Sequence, residues 1–368
     1  MMQNNNAKKY NNIKLGIGIG KGIFSFFAII AFVKFEFSSE LESYLRIYSE
    51  NQYLLLLLFL FVVGIVSSVI SFPLKYYVEF YLEHKYELSN QSIWKWLFED
   101  FKGLLVGSVI GIPILLLFYW VMLTFGSLWW LVFSIAMFFI SVVLAQIVPI
   151  IILPIFYKIT PIENEEIKKR ILNLAKDVRM NVANVFQFDM SKNTKKANAA
   201  FTGLGKTKRI ILGDTLLDNY TEDEIETVLA HEFGHYKHKH IIKNLFIGTL
   251  SSFITFFAIA SLYEISLTWF GFNEITQVSA LPILSVWAML IGILTTPIGN
   301  IISRKFEYEA DEYAIKITEK SEAFINTLEK LNDQNLGDKE PHPFVEWFFY
   351  SHPSVAKRKG KILEQLNT

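Results

Sequence analysis

The chain has 368 residues, is 52% hydrophobic and 15% aromatic with 33 Phe, and carries no net charge. That length allows more than one domain, and the neutral balance gives no reason to expect a nucleic-acid partner. There is no Cys, which excludes disulfides and thiolate metal sites, so any metal must be held by His, Asp or Glu.

The N-terminus, MMQNNNAKKYNNIKLGIGIGKGIF, has a basic start and then an apolar run, as a signal peptide does. No small-residue cleavage site follows it and further apolar runs do, so residues 15–35, which include Lys21, read as a retained first span. Residues 51–74 carry no charge. Residues 103–157 carry none over 55 positions, enough for two spans with a turn near Gly126-Ser127. Residues 158–242 then read as a soluble insert. Thr160-Pro161-Ile162 is expected to open an amphipathic helix running to about Val178, with Ile167, Ile171, Leu172, Leu174 and Ala175 on its apolar side. VFQFDM (185–190) and KRIILGDTLL (208–217) read as short strands. Thr221-Glu222-Asp223-Glu224 has the form of a capping box and starts a helix through Val228-Leu229-Ala230. Residues 244–263 and 275–303 are again uncharged, over 20 and 29 positions. A helix crossing a bilayer needs about 20 apolar residues, so the count is six spans.

The loops agree with that parity. Lys8, Lys9 and Lys14 precede the first span, the next loop has four Glu against one Arg, residues 75–102 bear Lys again, and the turn near Gly126 is uncharged. The insert is rich in Lys and Arg, the loop holding Glu264 and Glu274 has neither, and Arg304 and Lys305 follow the last span. Basic loops alternate with non-basic ones, as six spans with both termini in the cytoplasm require.

The capped helix leads into HEFGHYKHKH (231–240), which holds four of the seven histidines. His231 and His235 are one helical turn apart and can reach a single ion. Glu232 points to the open side of that ion and can take a proton from bound water. His238 shares their stripe, yet at 1.5 Å per residue it lies about 10 Å along the axis from His231, too far to join them. His240 points elsewhere, and both are expected to be polar residues at a helix end near the membrane surface. A third ligand is therefore needed. In SRKFEYEAD (303–311), after the sixth span, Glu307 and Asp311 share a helix face while Glu309 points away. Glu307 is assigned as the ligand, and Asp311 as the acceptor that orients a ligand histidine. Two consecutive spans form a hairpin, which returns both motifs to the same, basic membrane side.

HEFGH, followed two spans later by SRKFEYEAD, resembles the integral-membrane zinc proteases typified by the type-1 CaaX prenyl protease. FPLKYYVEFYLEHKYELSNQS (72–92), KANAAFTGLGKTKRIILGDTLL (196–217) and SHPSVAKR (351–358) extend the likeness over most of residues 70–360. The resemblance implies a mainly α protein: a multi-pass transmembrane helical bundle of about six spans enclosing a chamber, with a cytoplasmic gluzincin-type α+β zinc protease domain. The chain would divide into a membrane domain (1–157), the insert with the HExxH helix (158–242), a transmembrane hairpin (243–303) and a C-terminal catalytic segment (304–368). Carried over by position, His231, His235 and Glu307 hold one Zn2+ per chain and Glu232 is the base. The resemblance alone implies that Asn198 lies on an edge segment holding the substrate backbone, and that His352 and Arg358 stabilise the oxyanion. It further implies a peptide or membrane-protein substrate, possibly lipidated, reached from the bilayer. Six spans stand where eukaryotic members have seven, and Ala200 stands where the family usually has an aromatic. The Ile-, Asn-, Lys- and Phe-rich composition points to an AT-rich bacterial genome, hence a plasma (inner) membrane location. A quality-control protease shares this chemistry without prenyl specificity. A membrane scaffold or transporter would instead place charges inside the spans, and a metal sensor would need a fourth protein ligand.

Overall fold

The computed structural model describes residues 2–177, 185–202 and 209–366. Its first helix is α1 (Met2–Lys34), followed by a short amphipathic helix, α2 (Phe37–Arg46), where a plain loop is expected from the charge pattern. Asn51 caps α3 (Gln52–Lys75), its Oδ1 accepting from the N–H groups of Tyr53 and Leu54. A wide-turned stretch after Pro73 carries α3 into α4 (Leu82–Lys85). Next come α5 (Ile93–Phe125) and α6 (Trp129–Ile147), then a second wide turn and α7 (Leu153–Phe156).

Among the described residues, five helical runs are long and apolar enough to cross a membrane: 5–34, 52–85, 93–156, 240–270 and 278–318. The third is folded back on itself at Gly126, whose φ of 52° only glycine adopts freely. Phe118 lies 5.1 Å, ring to ring, from Phe133, whereas fifteen residues of unbroken helix span about 22 Å. The run therefore makes two antiparallel crossings, the turn expected near Gly126-Ser127, and six apolar crossings result. The uncharged stretch of the last run ends at Ser303.

The crossings pack in succession, α5 against α6, α6 against α11 (His240–Ser266), α11 against α12 (Pro282–Thr318), and α12 against α1. At one end they pack around two apolar clusters. There Val121, Met122, Trp129, Phe133, Ile259, Tyr263 and Ile283 form one cluster, and Leu55, Leu56, Phe59 and Tyr119 another. Along the spans Gly64, Gly107, Gly111 and Gly248 have open space where a side chain would be. Phe61, Val69, Leu104, Val109, Ile254 and Leu294 are exposed, an apolar surface of the kind expected against lipid.

The chain also forms a small soluble layer. It contains β1 (Ile159–Pro161), α8 (Glu165–Asp177), β2 (Val185–Phe188), β3 (Ala199–Thr202), β4 (Arg209–Gly213), α9 (Asp214–Asn219) and α10 (Glu222–Lys237). After α12 follow α13 (Ser321–Gln334), α14 (Pro343–Phe349) and α15 (Val355–Leu366). Strand order is β1-β2-β4-β3, with only β2 and β4 parallel, so β3 is an edge strand. Ile167, Ile171, Leu174, Val185, Ile210, Leu212, Leu229, Phe233, Phe324 and Leu328 join sheet and helices in one core.

One expectation is corrected here. Thr160 and Pro161 lie in β1 rather than opening the helix, and Asn164 caps α8 by accepting from Glu166 and Ile167 N–H. The expected end at Val178 lies outside the described residues.

Candidate metal centre

Both N-terminal groups expected of the capping box are present on α10. Thr221 Oγ1 accepts from Glu224 N–H at 3.3 Å, and Glu224 Oε2 accepts from Thr221 N–H at 2.8 Å. With Ile225, Leu229 and Phe233 turned into the soluble core, the opposite face of α10 carries His231 and His235 toward α12. Gly234 sets how close the two helices come. A Cβ at that position would lie 2.8 Å from Ala310 Cα and 3.0 Å from Ala310 O, so the backbones nearly touch. Glu307, about one turn before that contact on α12, and Asp311, the residue directly after it, are both buried.

Three ligand atoms converge at this seam. His231 Nε2 and His235 Nε2 are 3.2 Å apart, His231 Nε2 is 3.4 Å from Glu307 Oε2, and His235 Nε2 is 3.4 Å from Glu307 Oε1. A tetrahedral ion with bonds of 2.0–2.1 Å has ligand–ligand edges of about 3.3 Å, so the triangle fits such an ion. Glu307 Oε2 is buried and makes no properly oriented hydrogen bond, although His352 Nδ1 stands 2.9 Å from it. A buried carboxylate oxygen left this way is what a cation would satisfy. His231, His235 and Glu307 are the group of described residues placed to hold a metal ion.

Each histidine is held from behind. Asp311 Oδ1 lies 2.8 Å from His231 Nδ1, and the Arg358 guanidinium grips both oxygens of Asp311. On the other side His235 Nδ1 lies 2.9 Å from His240 Nδ1, and His240 Nε2 lies 2.9 Å from Glu309 Oε2. His240 thus departs from its expected place at a wet helix end: it is 2% exposed, its ring stacked on Phe306 at 4.1 Å. His238, the last of the cluster, stacks beside His240 and does not approach the triangle.

The electrostatics follow this packing. Burial opposes charge on His231, but the Asp311 and Glu307 carboxylates outweigh it and lift its pKa to about 9. Burial also opposes ionisation of Glu307 and Asp311. The imidazoles of His231, His235 and His352 around it nevertheless hold Glu307 far below the usual carboxylate range, and Arg358 with His231 lowers Asp311. Burial keeps His240 below the ordinary imidazole value even beside Glu309.

The remaining expected residues surround this centre. Glu232, half-buried, follows His231 on α10. The His352 side chain is 64% exposed, whereas that of Arg358 is 11% exposed and directed at Asp311. Asn198 is exposed immediately before β3, its carbonyl accepting from Gly213 N–H at 2.9 Å. Arg358, which the family resemblance implies beside the scissile carbonyl, turns its Nε and Nη2 to Asp311 behind His231 and leaves Nη1 3.9 Å from Glu307 Oε2. The His240–Glu309 pair escaped the sequence reading, because five residues of continuous helix would turn His240 about 140° away from His235. The break between them lies at Lys239, whose left-handed backbone (φ 56°) ends one helix and starts α11. A signal for it was present: the uncharged run begins at 244, so the chain must turn into the membrane just before.

Comparison with known proteins places this geometry in a family. Residues 161–365 match the family described as Peptidase family M48, and residues 3–158 match the CAAX prenyl protease N-terminal family, described as five membrane helices. The chain is 34% identical to the CAAX prenyl protease 1 of Saccharomyces cerevisiae over 82% of this chain and 70% of that one. It is 29% identical to the "Uncharacterized metalloprotease YhfN" of Bacillus subtilis over 96% and 83%. The crystal structure of Saccharomyces mikatae Ste24p superposes with a TM-score of 0.87 at 29% identity, covering 98% of this chain and 89% of that one.

Proposed function

The chain belongs to peptidase family M48 and is a membrane metalloprotease; from that premise we propose that it is a zinc endopeptidase cutting peptides presented at the membrane. The observation that carries the reading is the triangle of His231, His235 and Glu307 with edges of 3.2–3.4 Å. Two imidazoles and one carboxylate are a donor set that suits zinc and leaves a fourth position open. When bound there, zinc supplies Lewis-acid polarisation of a carbonyl and a bound water acidified to a pKa of about 7.

The chain's own residues do the rest. Glu232, about 100° round the helix from His231, takes the proton of the attacking water and passes it to the leaving nitrogen. Among the described residues it has no hydrogen-bond or ion-pair partner, so its carboxylate is free to do so. His352, largely exposed beside Glu307, donates to the developing oxyanion; losing one such donor typically costs about 10²–10³ in rate. Arg358 is assigned a positioning role, holding Asp311 against His231. The outer edge of β3, entered from Asn198, offers an extended peptide a strand to pair with.

Substrate class follows from the surroundings. The site lies where the two membrane-span helices α11 and α12 meet the soluble layer, which would give a membrane-borne peptide, lipidated or not, access from the bilayer side. Relatives named CAAX prenyl proteases make a prenylated C-terminal peptide the first substrate to try. The basic loops at the soluble layer support a cytoplasmic side for that layer and both termini, which in a bacterial host means the plasma (inner) membrane. The test compares the purified chain with its Glu232→Gln variant, on a prenylated CaaX peptide and an unprenylated membrane-protein fragment, with and without chelator. Chelator-sensitive cleavage by the parent alone is expected, and preference between substrates separates processing from quality control. Equal, chelator-insensitive turnover by both forms would sink the reading.

A further inference from the structure

We propose that His240 and Glu309 form a positioning relay that fixes the tautomer and ring orientation of His235, and so tunes how tightly the centre holds its metal. The inference rests on the metal-binding reading above. Glu309, as a carboxylate, only accepts hydrogen bonds. The 2.9 Å contact from His240 Nε2 to Glu309 Oε2 therefore places the single ring proton of His240 on Nε2. His240 Nδ1 is then an acceptor, and its 2.9 Å contact with His235 Nδ1 requires the proton to sit on the His235 nitrogen. With Nδ1 protonated, the free lone pair of His235 is on Nε2, the atom that faces His231 Nε2 and Glu307. One acceptor at the far end thus decides which nitrogen of His235 is available to an ion, a common use of the groups behind a ligand.

The architecture is specific to the purpose. His240 is 2% exposed and wedged with its ring 4.1 Å from Phe306 and nearly parallel to it, so it has little freedom to turn. Lys243 Nζ and Lys305 Nζ stand 3.6 and 3.9 Å from Glu309, which keeps that carboxylate ionised and accepting. The left-handed Lys239 between the two histidines costs backbone energy that ordinary helix continuation would avoid; the contact it makes possible is the return for that cost.

The test uses the full chain in detergent and measures metal affinity by competition with a chromophoric chelator, beside a thermal melt of the metal-free protein. His240→Asn keeps an acceptor near His235 but loses the link to Glu309; His240→Leu loses both. Metal affinity is expected to fall in the order parent, Asn, Leu, by about 10–100-fold for Leu, and Glu309→Gln is expected to lose less, under about tenfold. A packing role predicts the reverse order, since Leu suits a buried apolar wall better than Asn. Affinities that are unchanged in His240→Leu, or that follow melting temperature, overturn the relay. Failure of the parent itself to bind metal overturns the underlying reading instead, and His231→Ala serves as the non-binding reference.

Discussion

Gly234→Ala tests the claim that backbone contact between α10 and α12 sets the metal triangle. The added Cβ would lie 2.8 Å from Ala310 Cα and 3.0 Å from Ala310 O, while carbon atoms rest at about 3.5–4.0 Å. The helices must therefore part by about 0.7–1 Å. Two opposing terms act on stability: relief of an interior glycine returns about 1 kcal/mol, and overpacking costs about 1–3 kcal/mol. The net change is a loss of at most about 2 kcal/mol, which a folded protein tolerates. The site does not tolerate it, because ligand distances are held to about ±0.2 Å and Glu307 would move several times that from both histidines. The expected result is a melting temperature within a few degrees of the parent, with metal affinity reduced at least about tenfold and peptide cleavage reduced with it. Adding Ala310→Gly should not restore either, since it removes only the 3.2 Å contact with Ala310 Cβ and leaves the two shorter backbone contacts. Unchanged metal affinity in Gly234→Ala, or full rescue by Ala310→Gly, would refute the reasoning.

Asp311→Asn leaves the Arg358 guanidinium, 11% exposed, without its charged partner, and breaking such a buried pair costs about 3–5 kcal/mol. A thermal melt should show that loss, and metal titration a weakening of about 10–100-fold. Pairing the change with Arg358→Gln should recover stability but not affinity. The pH response follows from His231, whose folded pKa is raised to about 9 from an ordinary 6.5. A raised pKa stabilises the metal-free fold fully below about pH 6.5 and ceases to as pH climbs through 9, a swing of at most about 3 kcal/mol. The metal-free melting temperature should therefore fall over that window, while metal affinity, which requires the proton to leave, should rise. A flat metal-free melting curve from pH 6.5 to 9 would contradict the assigned contacts of His231 with Asp311 and Glu307.

Much of this was readable from local sequence because local chemistry decides it. Uncharged runs mark the crossings, Gly126 marks the reversal, and the Thr221–Glu224 box marks the start of α10. Even Glu307 was within reach, since the two apolar runs at 244–263 and 275–303 must bring it back to the side of His231. What escaped depends on position in space. Pro161 sits in a strand because β2 pairs with it, and the true helix start, Asn164, lies three residues on. Arg358 belongs to Asp311 because α15 folds back over α12, a contact across 47 positions that no pattern encodes.

The FEYEAD stretch shows why the same residues yield both the success and the omission. On α12, Glu307 and Asp311 are four apart and face α10 together; Glu309, two from each, is turned about 160° from either. From α12 alone Glu309 is a solvent-facing charge. But α10 does not continue straight: at Lys239 the backbone turns left-handed and α11 starts in a new direction against α12, bringing His240 between Glu309 and His235. A single helix can then supply one carboxylate to the metal triangle and support for each of the two histidines, Asp311 on His231 and Glu309 through His240 on His235. Alternating carboxylates along one rigid span fix three parts of the centre relative to each other. The histidines come from a separate helix, so their placement rests on the one backbone contact that Gly234 allows.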